Sequence, residues 1–115
     1  MADQSENLNG ESEMGELVKV EKRGEIAWVT LDDGKANALS PALLVELDGA
    51  LDELDGACKA LVLAGRAGRF CAGYDLKVMM SGKGPASALT VQGCRVMAKL
   101  YLFGAPVVIA CTGHA

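Results

Sequence analysis

The chain has 115 residues, half of them hydrophobic, and its formal net charge is -4. This length excludes an array of independent domains, and the charge excludes the basic surface with which proteins hold nucleic acid by its phosphates. No stretch approaches about 18 consecutive apolar residues, so the sequence predicts no membrane span.

Residues 1–16 differ in composition from the rest of the chain. They contain no Lys or Arg and five carboxylates: Asp3, Glu6, Glu11, Glu13 and Glu16. Such a polar segment buries too little apolar surface to offset the entropy lost on ordering, so we predict a disordered acidic leader at 1–16 and one domain at 17–115. The leader also lacks the hallmarks of a secretion or import signal, which favours a cytoplasmic location.

The first elements of the domain are predicted from periodicity and turn chemistry. Apolar and polar residues alternate over residues 17–31 on both sides of Arg23-Gly24, which predicts a β-hairpin. Ser40 followed by Pro41 is typical of a helix N-terminus, and Gly56 of a helix end. Leucines recur at helical spacing between them, so this helix should have one buried and one solvated face. The predicted solvated face and helix end carry Glu46, Asp48, Asp52, Glu53 and Asp55.

The second half of the chain contains two wholly apolar runs, at residues 60–64 and 107–111. Runs without alternation are typical of parallel strands that are covered on both faces. A Gly- and Arg-rich loop and a helix over about residues 87–103 separate them, and residues 112–115 begin a turn. Because this order contains a β-α-β unit, we predict an α/β fold. Two helices are too few to cover such a sheet, so we expect the N-terminal part of a longer fold.

The second helix should also be amphipathic. Its predicted buried side holds Leu89, Val96, Met97, Leu100 and Phe103, and the side facing away holds Gln92, Arg95 and Lys99.

Four cysteines are spread along the domain, at positions 58, 71, 94 and 111. Their spacing contains no C-x-x-C pair, and His114 is the only histidine, so no metal site is predicted. The even number leaves disulfides possible in principle. Without a secretion signal we instead expect reduced thiols that serve as small core hydrophobes.

The loop at residues 65–77 is the most informative segment for function. It follows a predicted buried strand, and ligands bind at the carboxyl ends of strands in open α/β sheets. Its glycines could equally serve only the turns of a solvated loop. Phosphate-binding patterns are absent: Gly84 follows Gly82-Lys83 where a P-loop has Ser or Thr, and no strand precedes these glycines as the dinucleotide fingerprint requires. Nucleotide hydrolysis and NAD chemistry are therefore not indicated.

Three segments together resemble the crotonase, or enoyl-CoA hydratase/isomerase, superfamily in order and spacing. They are Trp28-Val29-Thr30-Leu31 with Lys35-Ala36-Asn37-Ala38-Leu39, then Leu61-Val62-Leu63 through Arg69-Phe70-Cys71-Ala72-Gly73-Tyr74-Asp75-Leu76-Lys77, then residues 106–115. The resemblance covers about residues 17–115 and implies the N-terminal portion of a crotonase-like ββα spiral fold. It also implies acyl-CoA thioester chemistry, with hydration of 2-enoyl-CoA in fatty acid metabolism as the leading reaction.

The resemblance also implies a role for the backbone after the third glycine of the loop. Family members stabilise an enolate-like thioester oxygen with two backbone N–H groups, and such donors act without reorganising. The first donor would be the amide of Tyr74, with Gly73 supplying the turn. The Tyr74 ring would not carry this role, so we expect Tyr74→Ala to be tolerated.

Further site residues follow from the same resemblance. The wall beside the coenzyme and acyl chain would be formed by Lys35, Ala36, Ala38, Ala72, Gly73, Asp75 and Leu76. Arg66, Arg69 and Lys77 could reach coenzyme phosphates, although a solvated surface role is equally open for each. No separate cofactor or metal is implied, because coenzyme A is part of the substrate.

The family's second oxyanion donor and its catalytic carboxylates lie after the segment matched here. We therefore expect the 115-residue chain to be inactive, and we do not expect Asp75 or His114 to carry protons. The reaction type stays open among the family's chemistries. A non-catalytic acyl-CoA-binding or assembly subunit is the alternative to an enzyme, and family members imply a homotrimer or hexamer for the parent protein.

Overall fold

The computed structural model describes residues 12–115, in which nine strands and three helices follow one another. The strands are β1 (Ser12–Met14), β2 (Val18–Arg23), β3 (Ile26–Leu31), β4 (Ala38–Leu39), β5 (Ala60–Ala64), β6 (Gly68–Arg69), β7 (Gly73–Tyr74), β8 (Val107–Ala110) and β9 (Gly113–His114). The helices are α1 (Pro41–Leu54), α2 (Leu76–Met79) and α3 (Lys83–Tyr101).

Five strands form the main sheet in the order β1-β2-β3-β5-β8. The hairpin β2–β3 is antiparallel, whereas β3, β5 and β8 run parallel to one another. Helix α1 connects β3 to β5, and α3 lies between β5 and β8 along the chain. The predicted hairpin and the predicted α/β class are therefore confirmed.

The structure describes only the last residues of the predicted leader. Residues 1–11 lie outside the described residues. Ser12–Met14, which the composition placed in the disordered leader, form β1 and pair antiparallel with β2 in the register Glu13 to Val20. A short edge strand of this kind depends on backbone pairing with a neighbour, which composition does not report.

Helix α1 begins where the sequence predicted. The Ser40 side chain accepts a hydrogen bond from the Leu43 N–H at 3.1 Å, and Pro41 occupies the first turn. The helix ends at Leu54, before Gly56, which has φ +83°. Its leucine face is buried: Leu43, Leu44, Leu47, Leu51 and Leu54 are each at most 3% exposed.

The core lies on one face of the sheet, between the strands and the helices α1 and α3. Ala27, Val29 and Leu61 are fully buried there. On the other face Val62 is half-buried and Val108 of β8 is 56% exposed. Ile109, the next residue, points to the core face but is still 47% exposed, because β8 is the edge strand. The prediction that both apolar strands are covered on both faces is therefore wrong for the described residues, because the two long helices pack on the same face.

Helix α3 is longer at its start than predicted, since it begins at Lys83 rather than near residue 87. Pro85 lies in its first turn, where the missing N–H has no partner to lose. Its faces also differ from the prediction. Met97 is 48% exposed, while Gln92 and Lys99, expected to face away, contact α1.

The acidic residues of α1 are not simply a solvated face. The Glu46 carboxylate accepts the backbone N–H groups of Leu17 and Val18 at 3.0 Å each. Asp48 and Asp52 both pair with Lys99 of α3, at 2.5 and 2.7 Å, and these contacts, Asp48 first, raise the pKa of the Lys99 amine. These residues hold the hairpin and α3 against α1.

The four cysteines are unbridged. Cys58 and Cys71 are half-buried, but Cys94 and Cys111 are exposed, so the expected role as core hydrophobes is wrong for that second pair. Between residues 12 and 115 no helix has the length and hydropathy needed to cross a membrane.

Candidate functional site

The loop after β5 is built from short paired segments. Its residues Gly68 and Arg69 form β6, which pairs in parallel with Gly113 and His114 of β9. Residues 112–115 therefore contain a strand where the sequence predicted a turn. The amides of Phe70 and Cys71 both donate to the His114 carbonyl, at 2.7 and 3.1 Å. The loop is thus tied to a segment that is distant in sequence.

The next part of the loop pairs with the segment after the hairpin. Gly73 and Tyr74 form β7, which lies parallel to Ala38 and Leu39 of β4. Two of the three segments that carry the family resemblance therefore meet at β4 and β7.

Asp33 shapes the segment that leads into β4. Its carboxylate accepts the backbone N–H groups of Lys35 at 2.7 Å, Asn37 at 3.0 Å and Ala38 at 3.2 Å. A side chain that satisfies several amides in this way holds the backbone in a turn. Lys35, Ala36 and Ala38 are therefore presented on a fixed framework.

Asn37 joins this segment to the loop. Its side chain is completely buried and its φ is +62°. The amide nitrogen Nδ2 donates to the carbonyls of Leu31 at 2.8 Å and Phe70 at 3.1 Å, while Oδ1 accepts the Asp33 N–H at 2.9 Å. Its backbone carbonyl accepts the Ala72 N–H at 3.2 Å. One residue therefore fixes the distance between the two halves of the candidate site.

A cleft of about 430 Å³ opens beside these segments. It is lined by Leu17, Asp33, Lys35, Ala36, Ala38, Ser40, Asp75, Leu76 and Lys77. Five of the sequence-predicted wall residues, Lys35, Ala36, Ala38, Asp75 and Leu76, thus lie around one cavity. The lining does not include Ala72, Gly73 or Tyr74, which form the adjoining turn and β7.

The Tyr74 amide is turned away from β4. The Leu39 carbonyl accepts the N–H of Asp75 at 3.0 Å, in the register that sets Leu39 opposite Tyr74. In a parallel ladder, successive residues of a strand direct their N–H groups to opposite sides. Because Asp75 donates toward β4, the Tyr74 N–H points to the other side. Gly73, with φ +90°, makes the turn before it.

The charged residues of the loop differ in their surroundings. Arg66 is half-buried: its Nε lies 3.0 Å from Asp32 Oδ1, and its guanidinium also donates to the Lys35 carbonyl. Arg66 therefore supports the backbone at Lys35. Arg69 and Lys77 are the two exposed cations of the loop.

Asp32 accepts hydrogen bonds that favour its charged form. The pKa of its carboxyl lies below the ordinary value of 3.8, first because the Gly34 N–H donates to it and then because Lys19 does so; Arg66 adds a smaller attraction. A carboxyl whose pKa is lowered by folding stabilises the protein above its unfolded pKa, and this contribution is lost as the pH falls through the folded value.

We accordingly expect Asp32→Asn to flatten the acid limb of the stability curve. Urea unfolding between pH 6 and about pH 3 should show a smaller loss of stability in the variant than in the unaltered chain. Glu25→Gln is the control, since Glu25 is 70% exposed in its pair with Lys59 and should leave the curve unchanged. Parallel pH curves for the unaltered chain and Asp32→Asn would contradict the assignment.

The structure gives Asp75 a capping role and leaves His114 at the surface. Asp75 caps α2, because its Oδ1 accepts the Lys77 N–H at 2.9 Å, and His114 is exposed. Within residues 12–115 no group of three or more His, Cys, Asp or Glu side chains is placed to hold a metal ion.

Sequence reasoning missed several residues of the site. Asn37 appeared only within a motif, and Asp33 was not among the predicted site residues. Leu17 and Ser40 were assigned only to the hairpin and to the start of a helix. The Asx residues at positions 33 and 37, four apart before a helix cap, were the available signal, since such side chains often bond nearby backbone.

Comparisons with known proteins give the same family as the resemblance found in the sequence. The family model for enoyl-CoA hydratase/isomerase matches residues 21–115. A probable enoyl-CoA hydratase of Bacillus subtilis is 34% identical over 94 residues, which is 78% of this chain and 36% of that protein. A carnitinyl-CoA dehydratase of Proteus mirabilis is 28% identical over 105 residues, covering 89% of this chain and 40% of that protein.

The fold is likewise shared with solved structures. An enoyl-CoA hydratase/isomerase family protein from Pseudomonas syringae superposes with a TM-score of 0.83 at 34% identity, covering 86% of this chain and 43% of that one. This confirms the predicted crotonase-like fold, and the chain spans less than half the length of each of these relatives. From the family match over most of its length, the chain belongs to the enoyl-CoA hydratase/isomerase family.

Proposed function

We propose that the cleft beside β4 and β7 binds an acyl-CoA thioester and that the protein acts in the hydration of 2-enoyl-CoA. The observation that carries this proposal is the register of Leu39 with Tyr74, which leaves the Tyr74 N–H outside the β4 ladder. A backbone donor held in this way is available to a ligand oxygen.

The chemistry needs such a donor. When water adds to the β-carbon of an enoyl thioester, the electrons of the double bond move toward the carbonyl, and negative charge grows on the thioester oxygen. A donor already aimed at this oxygen lowers the barrier, and loss of one donor costs about 3–4 kcal/mol. We assign this role to the Tyr74 amide.

The coenzyme would lie along the wall of the cleft. Ala36 and Ala38 leave room for the adenine and the pantetheine arm, because a methyl group projects little from the backbone. The ammonium groups of Lys35 and Lys77 are exposed at the same cleft and suit the phosphates of coenzyme A. The proposal uses no separate cofactor, since the coenzyme arrives with the substrate.

Proton transfer is not assigned to the carboxylates of this cleft. Asp33 accepts three backbone amides, and Asp75 caps α2. Both are committed to holding the backbone. The described residues would therefore supply binding and charge stabilisation.

Binding to the 115-residue chain tests the proposal. We expect crotonyl-CoA to bind more tightly than coenzyme A by isothermal titration calorimetry, since only crotonyl-CoA has a thioester carbonyl that can accept from the Tyr74 amide. Lys35→Ala should weaken both ligands. Lys59→Ala, which removes an exposed lysine paired with Glu25, is the matched control and should change neither.

Two results of these binding measurements would count against the proposal. Equal affinities for the two ligands, or equal effects of the two lysine variants, would contradict the proposed site. We also expect no loss of the enoyl absorbance of crotonyl-CoA, and turnover would contradict the assignment of binding and charge stabilisation alone.

Location and assembly complete the proposal. The unbridged cysteines support a cytoplasmic protein, because disulfides persist in oxidising compartments. We propose a homotrimer or hexamer for the complete protein, from its family, and sedimentation of a lone monomer would contradict that.

A further inference from the structure

Tyr74 has a second neighbour besides β4. Its ring packs against Gly93, a buried glycine in the middle of α3. A Cβ placed on Gly93 would lie 2.7 Å from Cε1 and 2.9 Å from Cζ of the ring, and it would also collide with the phenol oxygen. The ring and the helix backbone are therefore in close contact, with no room for even a methyl group.

A glycine inside a helix is unfavourable by itself, because it loses more conformational freedom on folding than any other residue. Gly93 is buried at the centre of the 19-residue helix, away from either end. The cap and turn roles that usually explain a helical glycine do not apply there. The close approach of the Tyr74 ring supplies the physical reason for a glycine at this position.

The contact matters because β7 is short. It has two residues, Gly73 and Tyr74, and the preceding turn depends on a glycine with φ +90°. Such a segment has little regular structure of its own to set the direction of its amides. Backbone pairing with β4 fixes β7 along one edge. The only side chain of β7, the Tyr74 ring, reaches α3.

We propose that Gly93 is a positioning residue: by admitting the Tyr74 ring against α3, it sets the direction of the Tyr74 N–H that holds the thioester oxygen. This inference rests on the proposed function. It also replaces the expectation that Tyr74→Ala is tolerated, since that variant removes the anchor of the amide.

The experiment combines three variants of the 115-residue chain: Gly93→Ala, Tyr74→Ala and the double variant. The first readout is the ¹⁵N–¹H resonance of residue 74 without ligand, which responds to a change in the conformation or surroundings of that amide. The second is the ratio of the dissociation constants for coenzyme A and crotonyl-CoA. Gly49→Ala is the matched control, because Gly49 is also a helical glycine but has open space at its Cβ.

We expect Gly93→Ala to shift the residue 74 resonance and to reduce the preference for crotonyl-CoA by roughly tenfold, since a displacement of about 1 Å can cost up to 10²-fold. The affinity of the variant for coenzyme A should stay within about twofold of that of the unaltered chain, because coenzyme A has no thioester carbonyl. In the Tyr74→Ala background the glycine substitution should have no further effect, as the two residues act as a pair.

An unchanged resonance and an unchanged preference in Gly93→Ala would overturn the inference while leaving the proposed function intact. If Gly93→Ala fails to fold, the double variant decides, because restored folding supports the ring contact and continued failure overturns it. If the unaltered chain shows no preference for crotonyl-CoA, the proposed function fails, and the residue 74 resonance still tests whether Gly93 positions the amide.

Discussion

Replacing Asn37 by Asp is expected to lower the free energy of unfolding by about 3–5 kcal/mol, the usual cost of an uncompensated buried charge. The Asn37 side chain is 0% exposed, and its Nδ2 lies 2.8 Å from the Leu31 carbonyl and 3.1 Å from that of Phe70. In the variant a carboxylate oxygen would face these oxygens with no proton between them. The change preserves shape, so the loss comes from the missing donor together with the added charge.

Asn37→Ala separates this explanation from a packing role. It removes the donor without adding a charge, and we expect it to cost about 1–3 kcal/mol, the penalty for leaving buried partners unsatisfied. Urea unfolding monitored by circular dichroism gives both values. If the Asp variant were as stable as the unaltered chain, or more stable than the Ala variant, Asn37 would act through its volume alone.

The second large effect is expected at Gly65, directly after β5. A Cβ at this position would lie 2.5 Å from the Arg69 carbonyl oxygen and 2.6 Å from the Phe70 Cα. Both neighbours are backbone, which cannot turn aside as a flexible side chain can. We expect Gly65→Ala to cost about 1–3 kcal/mol or more through overpacking and to weaken crotonyl-CoA binding, because the displaced carbonyls adjoin Asn37.

Gly49→Ala is the control for this variant. Gly49 is exposed on α1 with nothing within 4 Å of its Cβ position, so alanine should stabilise the chain by about 0.5–1 kcal/mol. Opposite signs at the two positions, measured by thermal or urea unfolding, would show that the packed backbone is responsible. Stabilisation by both substitutions would contradict the close approach at Gly65.

Much of the fold was predictable because its signals are local. Ser40 and Pro41 mark a helix start through chemistry within one turn, and the hairpin alternates over consecutive residues. The two-residue strands β6, β7 and β9 were not predictable by periodicity, since two residues cannot show a period. Their pairing depends on contacts between distant segments. The exposure of β8 was missed because an apolar run does not report whether its strand lies at the edge of the sheet.

The candidate site was predictable in part. The family resemblance pointed to Lys35, Ala36, Ala38, Asp75 and Leu76, and the structure gathers them at one cleft. The roles of these residues, and of Ala72, Gly73 and Tyr74, stay predictions. Asn37 and Gly93 were not singled out from sequence, because a buried amide network and a ring against a helix are properties of three-dimensional packing.

The pairing of β6 with β9 brings together residues 68 and 113, which are 45 positions apart. Closing a loop of this length costs chain entropy, and that cost is met when the molecule folds. The loop that leads into β7 is therefore ordered by folding, and a ligand at the proposed site would not have to order this part of the backbone. The pairing of β6 with β9 thereby favours a preorganised site over one that is ordered only when its ligand binds.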